Sequence, residues 1–163
     1  MPDFTIRIDG DDLVFSASHF ITFEGGECEA LHGHDFHLAV EVCGPLNASQ
    51  YVVDFIALRD VVRGILAELD HRALVPQHHP RIKMRTIGDE LEVTLGRRRW
   101  VLPKDDCVLL PAANTTDEML AQLLAVRICE RLSERNISPP KSVKVEVREG
   151  GGFTAIYEHR ADE

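Results

Sequence analysis

The 163-residue chain has the length of one ordinary domain, and its 18 Lys and Arg against 27 Asp and Glu give a formal net charge of −9 at pH 7. Hydrophobic residues make up 44% and charged residues 28%, a globular rather than a disordered composition. The acidic balance argues against binding to nucleic acid or to a membrane surface, since those partners need a basic face, but it leaves room for a small anionic substrate.

Two further features bear on where the protein works. No apolar run approaches the roughly 20 residues that cross a bilayer, and the start, Met1-Pro2-Asp3-Phe4, lacks the basic and apolar regions of a secretory signal. The cysteines show no CxxC spacing and predict free thiols in a reducing compartment. They are Cys28, Cys43, Cys107 and Cys129. We therefore expect a cytoplasmic protein.

Two-residue alternation of apolar and polar side chains predicts five strands near the two ends of the chain. These strands are Phe4–Ile8, Leu13–Phe20, His32–Val42, Ser142–Glu149 and Phe153–His159. A turn at Gly10-Asp11-Asp12 joins the first two, and Gly150-Gly151-Gly152 joins the last two into a hairpin. Residues 23–31 lack a clean period and predict a loop before the third strand.

The middle of the chain predicts two amphipathic helices. Asp54 is placed to cap a helix that runs to about Leu69. The second helix runs from near Thr115 to about Glu134, with Thr115 as the N-cap of a capping box that Glu118 completes. The expected buried faces are Phe55, Leu58, Val62, Leu66 and Leu69 in the first helix and Leu120, Leu123, Leu124, Ile128 and Leu132 in the second.

Between the two helices lies an insert over about residues 81–111. Its four short apolar segments, separated by turn residues, predict a small β-meander. The segments are Ile82–Ile87, Leu91–Leu95, Trp100–Leu102 and Cys107–Leu110. Since no linker and no internal repeat is evident, we expect one α+β domain over residues 1–163 that carries this insert.

The segment from Cys28 to His34 contains the clearest functional signal. His32 and His34 stand two apart in a predicted strand, so they point to one face, as the ligands of a divalent metal must. If the preceding strand pairs antiparallel, His19 at its end becomes a third ligand. Three imidazoles and one open position are typical of a catalytic zinc site. The alternative is three ordinary histidines, partly exposed or hydrogen-bonded in the core.

Other positions are candidates for proton transfer or substrate binding. Cys28 is a candidate base, nucleophile or fourth ligand, or else an inert buried thiol. Asp70 beside His71 could fix the imidazole tautomer, or the pair could simply end a helix. Glu149, at a strand end, could accept two N–H bonds from a guanidine-like ring edge, or be a solvated hairpin charge.

Six motifs in this order resemble the family of 6-pyruvoyl-tetrahydropterin synthase and its relative 6-carboxy-tetrahydropterin synthase. They are Phe15-Ser16-Ala17-Ser18-His19, Cys28-x-x-x-His32-Gly33-His34, Val53-Asp54-Phe55, Leu69-Asp70-His71, Thr115-Thr116-Asp117-Glu118-Met119-Leu120-Ala121 and Val147-Arg148-Glu149. The resemblance covers about Phe4 to Tyr157 apart from the insert. It implies a tunnelling fold, a four-stranded antiparallel sheet with two helices on one face. It also implies a homo-oligomer, often a hexamer of two trimers, with active sites at subunit interfaces.

The resemblance implies roles for the residues that match the family's motifs. The implied Zn²⁺ ligands are His19, His32 and His34. The implied catalytic residues are Cys28, Asp70 and His71. The implied pterin-binding residues are Glu149, Thr115 and Thr116, although for the two threonines the sequence alone favours helix capping. Gly150 follows Glu149 where relatives commonly have a hydroxyl residue, so pterin contacts could differ there.

The substrate implied by the resemblance is 7,8-dihydroneopterin triphosphate. The pyruvoyl enzyme eliminates triphosphate, and the carboxy enzyme also breaks a carbon–carbon bond and releases acetaldehyde. We favour the carboxy reaction, which feeds 7-deazapurine and queuosine synthesis, because Cys28 four residues before His32 is the bacterial-looking arrangement. Arg97-Arg98-Arg99 in the insert is a candidate triphosphate patch, but a solvated turn is the better interpretation, so it is left out of the site.

Two other interpretations remain. A cupin would share a Gly-x₅-His-Gly-His opening, but Leu38 and Ala39 occupy the places of its glutamate, and two strong helices do not suit a double-sheet barrel. A non-catalytic pterin-binding or metal-binding homologue would keep the pocket without the chemistry. The combination of Cys28, Asp70 and His71 argues against it, since binding alone needs no acid–base set.

Overall fold

The computed structural model describes residues 1–161 and divides into two compact units. The first unit contains residues 1–15, 35–68 and those from 117 onward, and the second contains residues 16–34 and 69–116. Neither unit is one continuous stretch of chain, so the assignment of residues 1–163 to a single domain stays a prediction.

Residues 1–161 form ten strands and two α-helices. The strands are β1 (Asp3–Ile8), β2 (Val14–His19), β3 (His32–Pro45), β4 (Arg72–Pro76), β5 (Lys83–Ile87), β6 (Glu90–Leu95), β7 (Arg98–Pro103), β8 (Cys107–Leu110), β9 (Ser142–Gly150) and β10 (Phe153–Arg160). The helices are α1 (Phe55–Leu69) and α2 (Asp117–Glu134). All five strands expected near the chain ends are present.

The first unit contains the expected four-stranded antiparallel sheet, in the order β1-β3-β9-β10. Strand β3 pairs with β1 on one side and with β9 on the other, where Val40 lies opposite Val145. Strand β10 completes the hairpin, with Tyr157 also opposite Val145. The buried valines of β9 face a helix, because α2 packs against β9 and β10.

The two helices follow the sequence pattern in most respects. The Asp54 carboxylate accepts the Ala57 N–H at 2.8 Å, which confirms the cap of α1. Phe55, expected in the buried stripe, is exposed because it precedes the first buried turn. The residues of α1 that are buried are Leu58, Val61, Val62, Ile65, Leu66 and Leu69. In α2, Leu123 is only half-buried, and Ala121 and Ala125 occupy the buried face beside the expected leucines.

The prediction that Thr115 caps α2 is wrong. The helix begins at Asp117, so Thr116 stands in the capping position. Thr115 instead bonds the segment after β2, because its hydroxyl donates to the Phe20 carbonyl oxygen at 3.1 Å. The capping-box pattern favours Thr115, since Met119 and not a glutamate lies three residues after Thr116, but the tertiary hydrogen bond of Thr115 overrides this local pattern.

The second unit contains parallel pairing that the sequence analysis missed. Strand β4 pairs in parallel with β2, where Ser18 lies opposite Ala73, and with β8, where Leu74 lies opposite Val108. The meander has three antiparallel strands, β5, β6 and β7, rather than the expected four segments. The fourth segment, β8, follows a short 3₁₀ turn over Lys104–Asp106 and pairs with β4 rather than with the meander.

The meander is anchored by apolar packing within this unit. Alternate residues of β6 are buried, as a two-residue period requires. They join a buried cluster of Phe20, Val75, Ile82, Leu91, Val93 and Leu95. The rings of Phe20 and Trp100 stack with centroids 4.4 Å apart. Neither helix within residues 1–161 has the length and hydropathy to cross a membrane.

Candidate metal centre and active site

Three histidines of the second unit converge at the paired ends of two strands. His19 is the last residue of β2, and His32 and His34 begin β3. One ring nitrogen from each lies within 4.8 Å of the others. The ring centroids are 4.9 Å apart for His19 and His32, 5.3 Å for His19 and His34, and 4.7 Å for His32 and His34. The cluster thus has the strand geometry that the sequence predicts.

Backbone carbonyl groups orient two of the rings. Nδ1 of the fully buried His19 lies 2.9 Å from the Thr115 carbonyl oxygen, and Nδ1 of His32 lies 2.7 Å from that of Ala30. Because a carbonyl oxygen only accepts, each Nδ1 carries the proton, and each Nε2 is left as a neutral nitrogen donor. Neutral imidazoles oriented in this way fit a divalent cation such as Zn²⁺.

The segment before α2 fastens the buried histidine in place. The Asn114 side chain accepts the Thr22 N–H at 3.2 Å and donates to the Thr22 carbonyl oxygen at 3.0 Å. Thr115 is buried behind His19, with its carbonyl oxygen on Nδ1. Asn114 is not among the site residues that the sequence predicts. Thr115 is predicted as a helix cap and a pterin contact, but its carbonyl oxygen is bonded to a ring nitrogen of His19. The pterin contacts of Thr115 and Thr116 stay a prediction.

Asp70 and His71 form the expected pair directly after α1. Nδ1 of His71 lies 2.9 Å from one Asp70 oxygen, and the other oxygen accepts the Ser16 N–H at 2.8 Å. The Ser16 bond first, and then His71, hold the pKa of Asp70 below its ordinary value. His71 has a left-handed backbone with φ of 58°, and its N–H donates to the Ser16 carbonyl oxygen at 2.6 Å. An ionised Asp70 therefore keeps Nδ1 protonated and leaves Nε2 able to move a proton.

Cys28 lies in the loop that leads into β3. Its backbone bridges to Thr22, and its half-buried thiol donates to the Glu29 carbonyl oxygen at 3.2 Å. One Glu29 oxygen accepts the Ile21 N–H at 2.9 Å and lies 4.0 Å from Nε2 of His32. Glu29 is not among the site residues that the sequence predicts. Its position three residues before His32 is the sequence feature that could have indicated its closeness to that ring.

Glu149 belongs to the first unit, where it contacts Asp117 at the start of α2. One Glu149 oxygen is buried, so the alternative of a solvated hairpin charge is wrong. Burial, and then the charge of Glu149, raises the pKa of Asp117 to about 7. The raised pKa favours a protonated Asp117 beside Glu149. Asp117 was not among the expected site residues.

Comparisons with known proteins agree with these motifs. Residues 11–160 match the profile of the family described as 6-pyruvoyl tetrahydropterin synthase. A putative 6-carboxy-5,6,7,8-tetrahydropterin synthase of Methanocaldococcus jannaschii is 31% identical over 146 residues, which are 89% of this chain and 89% of that protein. The dihydroneopterin monophosphate aldolase of Pyrococcus furiosus is 48% identical over 60 residues, which are 37% of this chain and 50% of that protein.

A solved structure shares the fold. The 6-pyruvoyl tetrahydropterin synthase of Plasmodium vivax aligns with a TM-score of 0.90 at 23% identity. The alignment covers 98% of this chain and 99% of that chain, so it includes the insert between the helices. The tunnelling fold implied by the sequence resemblance is therefore confirmed.

Proposed function

The chain belongs to the 6-pyruvoyl tetrahydropterin synthase family, and from that premise we propose that it is a zinc-dependent lyase. It converts 7,8-dihydroneopterin triphosphate and water to 6-carboxy-5,6,7,8-tetrahydropterin, acetaldehyde and triphosphate, in the route to 7-deazapurines and queuosine. The observation that carries the proposal is the convergence of His19, His32 and His34. The printed name of the Methanocaldococcus jannaschii relative supports the choice of reaction. We place this activity in the cytoplasm, in a homohexamer of two trimers.

The three histidines would hold the zinc through neutral ring nitrogens, with Nδ1 of His19 and of His32 bonded to carbonyl oxygens. Bound zinc polarises side-chain oxygens of the pterin and makes the adjacent C–H bonds more acidic. The fully buried position of His19 lets its ring orientation be set by the protein rather than by water.

Proton transfer falls to two other parts of the second unit. The Cys28 thiolate removes or returns a proton at the pterin side chain. Nε2 of His71 moves the second proton, while Asp70 fixes the tautomer and stabilises the charged ring. Ser16 supports this pair from behind, because both its N–H and its carbonyl oxygen are bonded to it.

Ring recognition falls to Glu149. The edge of a pterin resembles guanidine, and a carboxylate accepts two parallel N–H bonds from such an edge. Asp117 lies beside the Glu149 carboxyl group, and its raised pKa limits the negative charge next to that group. Of the two threonines that the resemblance assigns to the pterin, Thr116 is proposed to present a polar group. Thr115 is proposed only to position it, because the hydroxyl, carbonyl oxygen and N–H of Thr115 are bonded to Phe20, His19 and Asn114.

The direct test supplies the zinc-loaded protein with 7,8-dihydroneopterin triphosphate and identifies the pterin and any aldehyde by mass spectrometry. We expect 6-carboxy-tetrahydropterin and acetaldehyde in equal amounts. Cys28→Ala should keep the metal and lose turnover by about 10² or more, the usual size of a lost acid–base group. The matched control is Cys43→Ala, in the other unit, which should remain active. Full turnover by metal-stripped protein, or by Cys28→Ala, would contradict the proposal.

A second candidate reaction is favoured by the 48% identical stretch shared with the dihydroneopterin monophosphate aldolase. An aldol cleavage of the pterin side chain would use the same metal and proton-transfer groups. Supplying the monophosphate and the triphosphate in separate reactions distinguishes the two, since acetaldehyde forms only in the carboxy reaction. A 6-pyruvoyl product would indicate elimination alone, and unchanged substrate would indicate a binding protein without catalysis.

A further inference from the structure

A cavity lies between the loop that carries Cys28 and the turn that joins β6 to β7. Its volume is about 420 Å³, which lies within the range of small-molecule sites, roughly 300–1,000 Å³. Gly26, Glu27 and Cys28 line one side, and Arg97 and Arg98 line the other. All of these residues belong to the second unit, so the cavity is formed within one compact body.

Three consecutive arginines, Arg97 in the turn and Arg98 and Arg99 at the start of β7, have different environments. Arg99 is paired with Glu92, with 2.6 Å between Nε and a carboxylate oxygen. Arg98 uses one guanidinium nitrogen to donate to the Glu29 carbonyl oxygen at 3.1 Å, and Arg97 occupies the turn. Within residues 1–161, no carboxylate forms a salt bridge with Arg97 or Arg98. Arg97 and Arg98 therefore line the cavity without a salt-bridge partner among these residues.

A third guanidinium group reaches the same loop. A Cβ added at Gly26 would lie 2.3 Å from a guanidinium nitrogen of Arg81, so the side chain of Arg81 lies directly against the glycine backbone. Gly26 also has a left-handed φ of 88°. The left-handed backbone favours glycine here, whereas a Cβ would only displace the flexible end of the Arg81 side chain. The lining of the cavity thus contains two arginines, Arg97 and Arg98, and one carboxylate, Glu27, in a chain whose net charge is −9.

We propose that this cavity is the polyphosphate subsite of the enzyme, with Arg97 and Arg98 as the principal phosphate-binding residues and Arg81 as support. The inference rests on the proposed function and names the part of the site that holds the substrate's anionic tail. Guanidinium groups bind phosphate oxygens in pairs of parallel hydrogen bonds. The phosphates and the reacting carbons belong to one flexible side chain, so a phosphate subsite must adjoin the acid–base group, as this cavity adjoins Cys28.

The test measures binding of inorganic tripolyphosphate to the zinc-loaded protein by titration calorimetry, independently of turnover. The double variant Arg97→Ala/Arg98→Ala should raise the Kd for tripolyphosphate by at least about tenfold, the size expected for lost charge-assisted hydrogen bonds. Arg99→Ala is the matched control, since it removes the same charge from the same run of arginines but faces Glu92, and it should bind nearly as wild type does. The charge-conserving double variant Arg97→Lys/Arg98→Lys should lie between the two.

Turnover gives the second readout. If the protein is active, the double alanine variant should raise KM for the pterin triphosphate and change kcat little, because Arg97 and Arg98 bind the tail rather than the reacting atoms. Equal tripolyphosphate binding by wild type and the folded double variant, or no binding by wild type, overturns the subsite. If binding is lost in the variant but wild type turns over no pterin, the subsite stands and the proposed reaction fails.

Discussion

The two compact units hold their functional groups by different means. In the second unit, carbonyl oxygens of Thr115 and Ala30 orient the rings of His19 and His32. In the first unit, Glu149 lies beside Asp117, and burial, followed by the Glu149 charge, raises the pKa of Asp117 to about 7. Carbonyl groups do not titrate, whereas the Asp117 carboxyl changes its charge near neutral pH. The candidate metal ligands therefore have an orientation set by the backbone, while the surroundings of Glu149 depend on the protonation of Asp117.

Removing one of the candidate metal ligands should have the largest effect. His34→Ala should reduce bound zinc to a small fraction of one ion per chain and lower turnover by about 10³ or more, because metal polarisation supplies several kcal/mol. Metal content by mass spectrometry and steady-state rates measure the two effects. His37→Ala is the control, since His37 lies three residues further along β3 and points to the opposite face. Stoichiometric zinc in His34→Ala would refute the assigned ligand set.

The Asp70–His71 pair orients its ring by a charged group, inside the unit that orients the rings of His19 and His32 by carbonyl groups. Asp70→Asn should retain zinc and lower kcat by about 10², since the ring loses the anion that stabilises its charged form. The exposed helix residue Asp60, changed to Asn, provides the control.

The same variant has a stability signature. The folded pKa of Asp70 lies below the unfolded value, so its contribution is present above that value and is lost as pH falls through the folded pKa. Urea unfolding should therefore show Asp70→Asn to be less stable than wild type at pH 7, with the difference shrinking in acid. Equal kcat for Asp70→Asn and wild type would show that the pair only ends the helix.

The carboxyl pair of the first unit gives the smallest expected effect. The folded pKa of Asp117 is about 7, above its ordinary 3.8. The folded state therefore binds more protons than the unfolded state between these values, and stability falls as pH rises through that window. Asp117→Asn removes the cost of ionising this partly buried carboxyl group, and it should raise the free energy of unfolding by about 1 kcal/mol at pH 8.

Measuring the same variant in acid completes this test. At pH 4, where the wild-type carboxyl is protonated when folded, Asp117→Asn should give little or no gain in urea unfolding. Glu130→Gln, an exposed position on the same helix, should show no such pH dependence. A gain of equal size at both pH values would mean that Asp117 is not held protonated by Glu149.

Local sequence patterns predict the strands, the helices and the shared face of two histidines, whereas they do not predict contacts between distant segments. The spacing of His32 and His34 fixes their shared face by strand geometry alone. The parallel partner of β8 depends on residues more than thirty positions away, which no local period reveals. Thr115 was misread as a cap because the bond that holds it comes from Phe20.

The same limit applied to charge. Arg97-Arg98-Arg99 was read as a solvated turn because the sequence does not show that Glu92 neutralises only the last of the three. Nor does it show that the other two meet the Cys28 loop. The environments of the three arginines therefore differ through tertiary contacts, which the run of like charges in the sequence does not reveal.

The neighbouring residues His19 and Phe20 connect the histidine cluster to the meander. The His19 ring joins the imidazole cluster, and the Phe20 ring stacks on Trp100 of the meander. The position of a candidate metal ligand is thus coupled to the packing of the inserted strands. A substitution that loosens the stacking of Trp100 should therefore also shift the end of β2, where His19 lies.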